Sequence, residues 1–87
     1  MNENEESYRV IFTKDFTLSY VDEMGTLRFL YEMGPYIRSQ GIILYRGAVN
    51  DRLRPIGVSP QHRERMEAAF EKVLNFLRSR EYDVEIV

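Results

Sequence analysis

Apolar residues recur at Met66, Ala69, Phe70, Val73, Leu74 and Leu77, in steps that place all six on one side of a helix. Just ahead of this stripe stands Ser59-Pro60. A serine hydroxyl there accepts an otherwise orphaned N–H of the first turn, and proline at the first helical position forfeits no hydrogen bond. Arg78 and Arg80 suit the negative pole at the far end. The pattern predicts a helix from about Pro60 to Arg80, with Phe76 flanking the stripe and widening it. One amphipathic helix has to bury its stripe against another layer. The rest of the chain is patterned as strands, so that layer is a sheet.

Tyr8-Arg9-Val10-Ile11-Phe12-Thr13 is aromatic and β-branched and reads as a first strand. Lys14-Asp15 is a short polar hairpin link. From Phe16 to Val21 the residues alternate, with Phe16, Leu18 and Tyr20 on one side and Thr17 and Ser19 on the other. Asp22-Glu23-Met24-Gly25 reads as a turn, its glycine free to take a positive φ. Thr26 to Met33 is a third strand that sets Leu27, Phe29, Tyr31 and Met33 opposite Arg28, Leu30 and Glu32. Gly34-Pro35 breaks it, and Tyr36 to Gln40 is a connection. Gly41 to Arg46 is the most apolar run and reads as a central fourth strand. Gly47 to Val58 fits no period and is expected as a long loop. Tyr82 to Val87 alternates again as a last strand, with Tyr82, Val84 and Ile86 inward.

The expected fold is α+β: a small antiparallel sheet, element order β-β-β-β-α-β, with one long amphipathic helix packed on one face. The 87 residues suffice for one domain. Residues 1–6 read as a disordered tail and residues 7–87 as the domain.

The residue types narrow the chemistry. There is no cysteine and only one histidine, His62, expected at the surface in the first helical turn. Zinc would have to be held mostly by carboxylates, so no metal site is expected. Asp83 and Glu85 share a strand face, the usual mark of a solvated surface. Neither a glycine-flanked nucleophile nor a phosphate-cradling glycine motif occurs. The expectation is a protein that is not an enzyme and uses no cofactor. No apolar stretch approaches the roughly 18 residues of a membrane span. The start, Met1-Asn2-Glu3-Asn4-Glu5-Glu6, is acidic rather than signal-like, so a cytoplasmic setting is expected. A formal net charge of −2 argues against general nucleic-acid binding.

Charge is nevertheless uneven. Between Tyr36 and Arg65 the bases are Arg38, Arg46, Arg52, Arg54, Arg63 and Arg65, and the acids only Asp51 and Glu64. Arginine is enriched at protein interfaces. Tyr45, Arg46, Asp51, Arg52 and Arg54 lie at the end of the fourth strand and in the loop after it, and form the candidate binding surface for a protein partner. Two other readings stand beside it: a structural or regulatory subunit that oligomerises through its sheet, and a weak nucleic-acid binder.

From Phe16 to Val87 the chain also resembles the Imm74 family of bacterial immunity proteins from polymorphic toxin systems. The likeness is carried by Leu18-Ser19-Tyr20-Val21 with Gly25-Thr26-Leu27-Arg28-Phe29, by Tyr31-Glu32, by Gly41-Ile42-Ile43-Leu44-Tyr45, and by the terminal helix with Tyr82-Asp83-Val84-Glu85-Ile86-Val87. The resemblance implies tight, non-catalytic neutralisation of a cognate toxin. It assigns no individual residue a role.

The cap is testable by itself. Ser59→Ala removes the acceptor of a first-turn N–H and should cost roughly 1 kcal/mol in urea denaturation. Ser59→Asp should be neutral or slightly stabilising, because its charge meets the positive helix end. Coincident unfolding curves for Ser59→Ala and wild type would show that the helix starts elsewhere.

Overall fold

The computed structural model describes residues 7–33, 41–57 and 59–87. The expected tail at residues 1–6, the connection at residues 34–40 with its Arg38, and Val58 lie outside the described residues. Strands β1 (Arg9–Phe12), β2 (Thr17–Asp22), β3 (Gly25–Met33) and β4 (Gly41–Val49) precede helix α1 (Pro60–Ser79) and strand β5 (Asp83–Ile86). All five strands form one sheet in the order β1-β2-β3-β4-β5. The α+β class and the element order are those the sequence predicts.

One pairing differs from the expected all-antiparallel sheet. Strands β1 to β4 pair antiparallel, but β5 runs parallel to β4, with Ile42 opposite Val84 and Leu44 opposite Ile86. The cause is the helix. Twenty residues of α-helix span about 30 Å, enough to carry the chain back to the end where β4 began. A strand entered from that end can add to β4 only in the parallel sense.

The helix lies on one face of the sheet. Ala69, Phe70, Val73, Leu74 and Leu77 are buried along it, and Phe76 is half-buried. Met66, in the same stripe, is half-buried as well and packs on the core edge. The sheet contributes Leu18, Tyr20, Phe29, Tyr31, Ile42, Leu44 and Ala48. The Phe70 ring meets Phe29 edge-on, with centroids 5.6 Å apart. Tyr82, Val84 and Ile86 turn inward, as their alternation predicts. The Ser59 hydroxyl accepts the His62 N–H at 3.3 Å, so the helix starts where the sequence places it.

Three local expectations need correction. Phe16 is not an inward strand residue. It sits in the β1–β2 turn with φ 64° and 60% exposure, and its ring touches only the rim of the core at Tyr31. The turn is tied by Asp15, whose carboxylate accepts from both the Thr13 and Thr17 hydroxyls, and this knot displaces Phe16 outward. Met33, at the last position of β3, is 56% exposed although it shares the parity of Phe29 and Tyr31 and pairs with the buried Ile42. Finally, β4 does not stop at Arg46. It continues through Gly47 to Val49, past a bulge in which Tyr45, Arg46 and Gly47 stand opposite the single residue Leu30. Gly47 takes φ 85° there, a conformation that glycine adopts without steric cost. A charged residue, Arg46, on the helix side and a glycine next to it interrupt the apolar alternation, which is why this stretch reads as loop.

Phe70→Ala should cost about 3–5 kcal/mol, since the lost ring leaves a void against Phe29. Total stability of about 5–15 kcal/mol makes that a large fraction. Chemical denaturation measures it, and a change below about 1 kcal/mol would contradict the packing described.

Candidate functional site

The arginine-rich middle of the chain resolves into separate places. Arg65 is structural. Its guanidinium donates to Asp22 Oδ1 at 2.7 Å and to the Gly25 carbonyl at 3.2 Å, tying helix α1 to the β2–β3 turn. Its Nε is buried and has no acceptor among the described residues. Asp22 also accepts the Met24 N–H at 2.9 Å, closing the turn in which Gly25 adopts φ 127°.

Tyr45 and Arg46, neighbours in the chain, face opposite ways. Arg46 turns to the helix side, where its guanidinium lies 5.7 Å from the centroid of the Phe70 ring. There it borders a groove of about 710 Å³ between the β4 bulge and the helix, with Gly47, Arg63, Met66, Glu67 and Phe70 among its walls. The Ala48 N–H, next to the bulge, donates to the Met66 thioether sulfur at 3.1 Å, so this groove wall is pinned to the helix. Tyr45 turns to the other face of the sheet. Burial, and then the Glu32 carboxylate beside it, hold its hydroxyl above the ordinary 10.0.

Asp51, Arg52 and Arg54 belong to a third place, the turn after β4. The structure shortens the expected long loop to a tight return. Val49 bridges Pro55, and the Ile56 N–H donates to the Ala48 carbonyl at 3.1 Å. Asn50 organises the tip. Its side-chain oxygen accepts the Arg52 N–H at 2.8 Å and the Arg54 N–H at 3.1 Å. Its backbone carbonyl accepts the Leu53 N–H, and its own N–H donates to the Arg54 carbonyl. Leu53 is held at φ 61°, a conformation that costs a branched residue roughly 1–2 kcal/mol and persists only where the surroundings enforce it. The side chains of Arg52, Leu53 and Arg54 remain exposed, while the backbone is fixed.

The five predicted site residues therefore do not form one patch. Arg52 and Arg54 sit together with Asp51 on a braced turn, Arg46 belongs to the groove, and Tyr45 to the opposite sheet face. Leu53 and Asn50 were missed in the sequence. An asparagine two residues ahead of an arginine in an Asn-Asp-Arg run is a recognised turn signal and could have found Asn50. Nothing local marks Leu53.

Other chemistry is limited in what the structure describes. No group of three or more His, Asp or Glu side chains among the described residues is placed to hold a metal ion. His62 is exposed on the first turn of α1. No helix among the described residues is long and apolar enough to cross a membrane. Comparison with models of known protein families, with curated proteins and with solved structures finds no match.

The Asp22–Arg65 tie predicts an acid response. Burial pushes the Asp22 carboxyl up, but the Arg65 guanidinium and the Met24 N–H outweigh it, and the net shift is below 3.8. The Thr13 and Thr17 hydroxyls hold Asp15 below 3.8 as well. A carboxylate with a lowered folded pKa adds stability that is complete above its unfolded pKa and is lost as pH falls through the folded value. Asp22→Asn should therefore melt below wild type at neutral pH, and the two curves should converge as pH falls below 3.8. A gap in melting temperature that stays constant over this range would show that the ion pair contributes nothing.

Proposed function

We propose that the chain is a small, non-catalytic protein-binding domain that presents the Arg52-Leu53-Arg54 tip to an acidic surface on its partner. The observation that carries this reading is the hydrogen-bonded brace at Asn50, which fixes the backbone and leaves both guanidinium groups and the leucine side chain exposed. A pre-set loop loses little conformational freedom on binding, so more of the contact energy appears as affinity. Two arginines flanking an apolar side chain combine charge steering with a small buried anchor. Charge steering makes association slow as salt rises.

The finer reading is an immunity protein that neutralises a cognate toxin in the cytoplasm. Its support is the resemblance to the Imm74 family, together with the cysteine-free composition. A toxin encoded beside this chain would be the partner to test first. Binding to nucleic acid is the weaker alternative, given the net charge of −2.

The test compares wild type with Arg52→Glu/Arg54→Glu as bait, followed by measurement of each variant against the purified captured protein. The double variant should fold as wild type, because exposed changes usually move stability by under about 0.5 kcal/mol. It should bind at least about tenfold more weakly, and the wild-type association rate should fall with added salt. Equal affinities for folded wild type and variant would place the binding surface elsewhere.

A further inference from the structure

Strand β1 is an edge of the sheet, and no strand among the described residues pairs with its outer side. The register fixes which of its backbone groups face out. β1 and β2 pair antiparallel from Arg9 with Val21 to Phe12 with Leu18, and one step further the Thr13 N–H donates to the Thr17 carbonyl at 3.0 Å. Hydrogen-bonded pairs alternate along such a ladder, so Arg9 and Ile11 bond inward to β2. The N–H and C=O groups of Val10 and Phe12 therefore point away from the sheet. A row of groups like these is a template for another strand.

The side chains at this edge are apolar. Ile11 is 42% exposed on the outer face of the sheet. Phe12 is 39% exposed on the helix side, where its ring meets Tyr31 and Tyr82. Val10, on the same side as Phe12, is half-buried. The only charge in the strand is Arg9, at its start. The other edge differs. β5 alternates Asp83 and Glu85 with Val84 and Ile86, and charge on an edge strand opposes pairing.

The apolar edge is complementary to itself. Two copies of β1 laid antiparallel can bond only where outward-facing residues meet. Val10 against Val10 sets Ile11 opposite Arg9, and Phe12 against Phe12 sets Ile11 opposite Thr13. Val10 against Phe12 sets Ile11 opposite Ile11, at a pair without hydrogen bonds, where side chains stand closest. In that register each apolar residue of the edge meets another, and Arg9 of each copy faces Thr13 rather than a like charge.

We propose that β1 pairs antiparallel with β1 of a second copy of this chain, with Val10 of each opposite Phe12 of the other and Ile11 on the two-fold axis. The axis stands perpendicular to the sheet, so the two sheets become one and both helices lie on the same side of it. The contact is isologous and closes at two copies. It is short, so the dimer is reversible and depends on concentration. Strands β2 and β3 separate β1 from β4 and the Arg52-Leu53-Arg54 tip, so either proposal can fail alone.

Sedimentation velocity of the full chain over rising concentration tests the pairing. The mass should approach twice the 10.4 kDa of the monomer. Val10→Pro removes an outward N–H and no bond of the ladder to β2, a change that edge strands accept. It should sediment as a monomer at concentrations where wild type is dimeric. The chain has no cysteine, which gives the register its own probe. Ile11→Cys puts two thiols at a pair whose Cα atoms lie about 4.5 Å apart, within disulfide range. Under mild oxidation it should cross-link at least about tenfold faster than Asp83→Cys, exposed on the opposite edge strand. Wild type that stays monomeric at every concentration overturns the proposal, even if the edge accepts a strand of some other protein. A folded Val10→Pro that remains dimeric overturns it, as do equal cross-linking rates for the two cysteine variants. Should one variant fail to fold, the other decides.

Discussion

Phe70 stands where the helix stripe meets the middle of the sheet, and its ring works on two sides. One side meets Phe29 on β3. The other carries the Arg46 guanidinium from the β4 bulge. The contact thus joins the helix to both central strands, and the direction of β5 follows from it. Once the stripe lies across the sheet, the chain leaves the helix at the end where β4 began. Parallel addition of β5 to β4 is then the pairing that buries Val84 and Ile86 beside Ile42 and Leu44. The aromatic ring contacts at that end show how far the sheet curls around the helix. Phe12 on β1 reaches Tyr82 just ahead of β5, with centroids 6.0 Å apart, although β1 and β5 are the two edge strands.

Where one period runs unbroken, the sequence is a reliable guide to this fold. The helix, its serine cap and its inward residues follow from spacing alone, as do the Gly25 turn and the inward side of β5. The departures share a cause: interactions between residues that no local pattern records. Phe16 has the right parity for the core, but the Thr13–Asp15–Thr17 knot fixes the turn around it and turns it out. Gly47 to Val49 looks aperiodic because Arg46, turned to the helix side, and Gly47 interrupt the apolar alternation, while the bulge leaves Ala48 facing the core. Leu44 and Ala48 both remain buried, and the strand resumes as though uninterrupted. The direction of β5 depends on where a helix of 20 residues delivers the chain, a quantity set by length and packing rather than by strand composition.

The candidate site was legible as a region and not as a surface. A basic excess between Tyr36 and Arg65 is real in the sequence, but adjacency in the chain is a poor guide to adjacency in space. Arg65 is consumed by Asp22 and Gly25, and Arg46 by Phe70. What separates Arg52 and Arg54 from the others is that their side chains are not needed to hold the turn. Asn50 closes it through backbone donors alone, so the guanidinium groups remain exposed. Charge on a surface becomes charge for a partner only when the fold does not already use it.

The same economy explains the two faces of the sheet. The described residues form one helix and five strands, and that helix covers one face of the sheet. A purely solvated outer face would alternate exposed polar residues against the buried ones. Strands β3 and β4 instead place Leu30, Ile43 and Val49 on that face. Apolar side chains at such positions add nothing to the helix-side core, because they point away from it. Beside the β4 bulge the ordinary alternation of a strand still holds, with Tyr45 on the outer face near Glu32 and Arg46 on the helix side at Phe70.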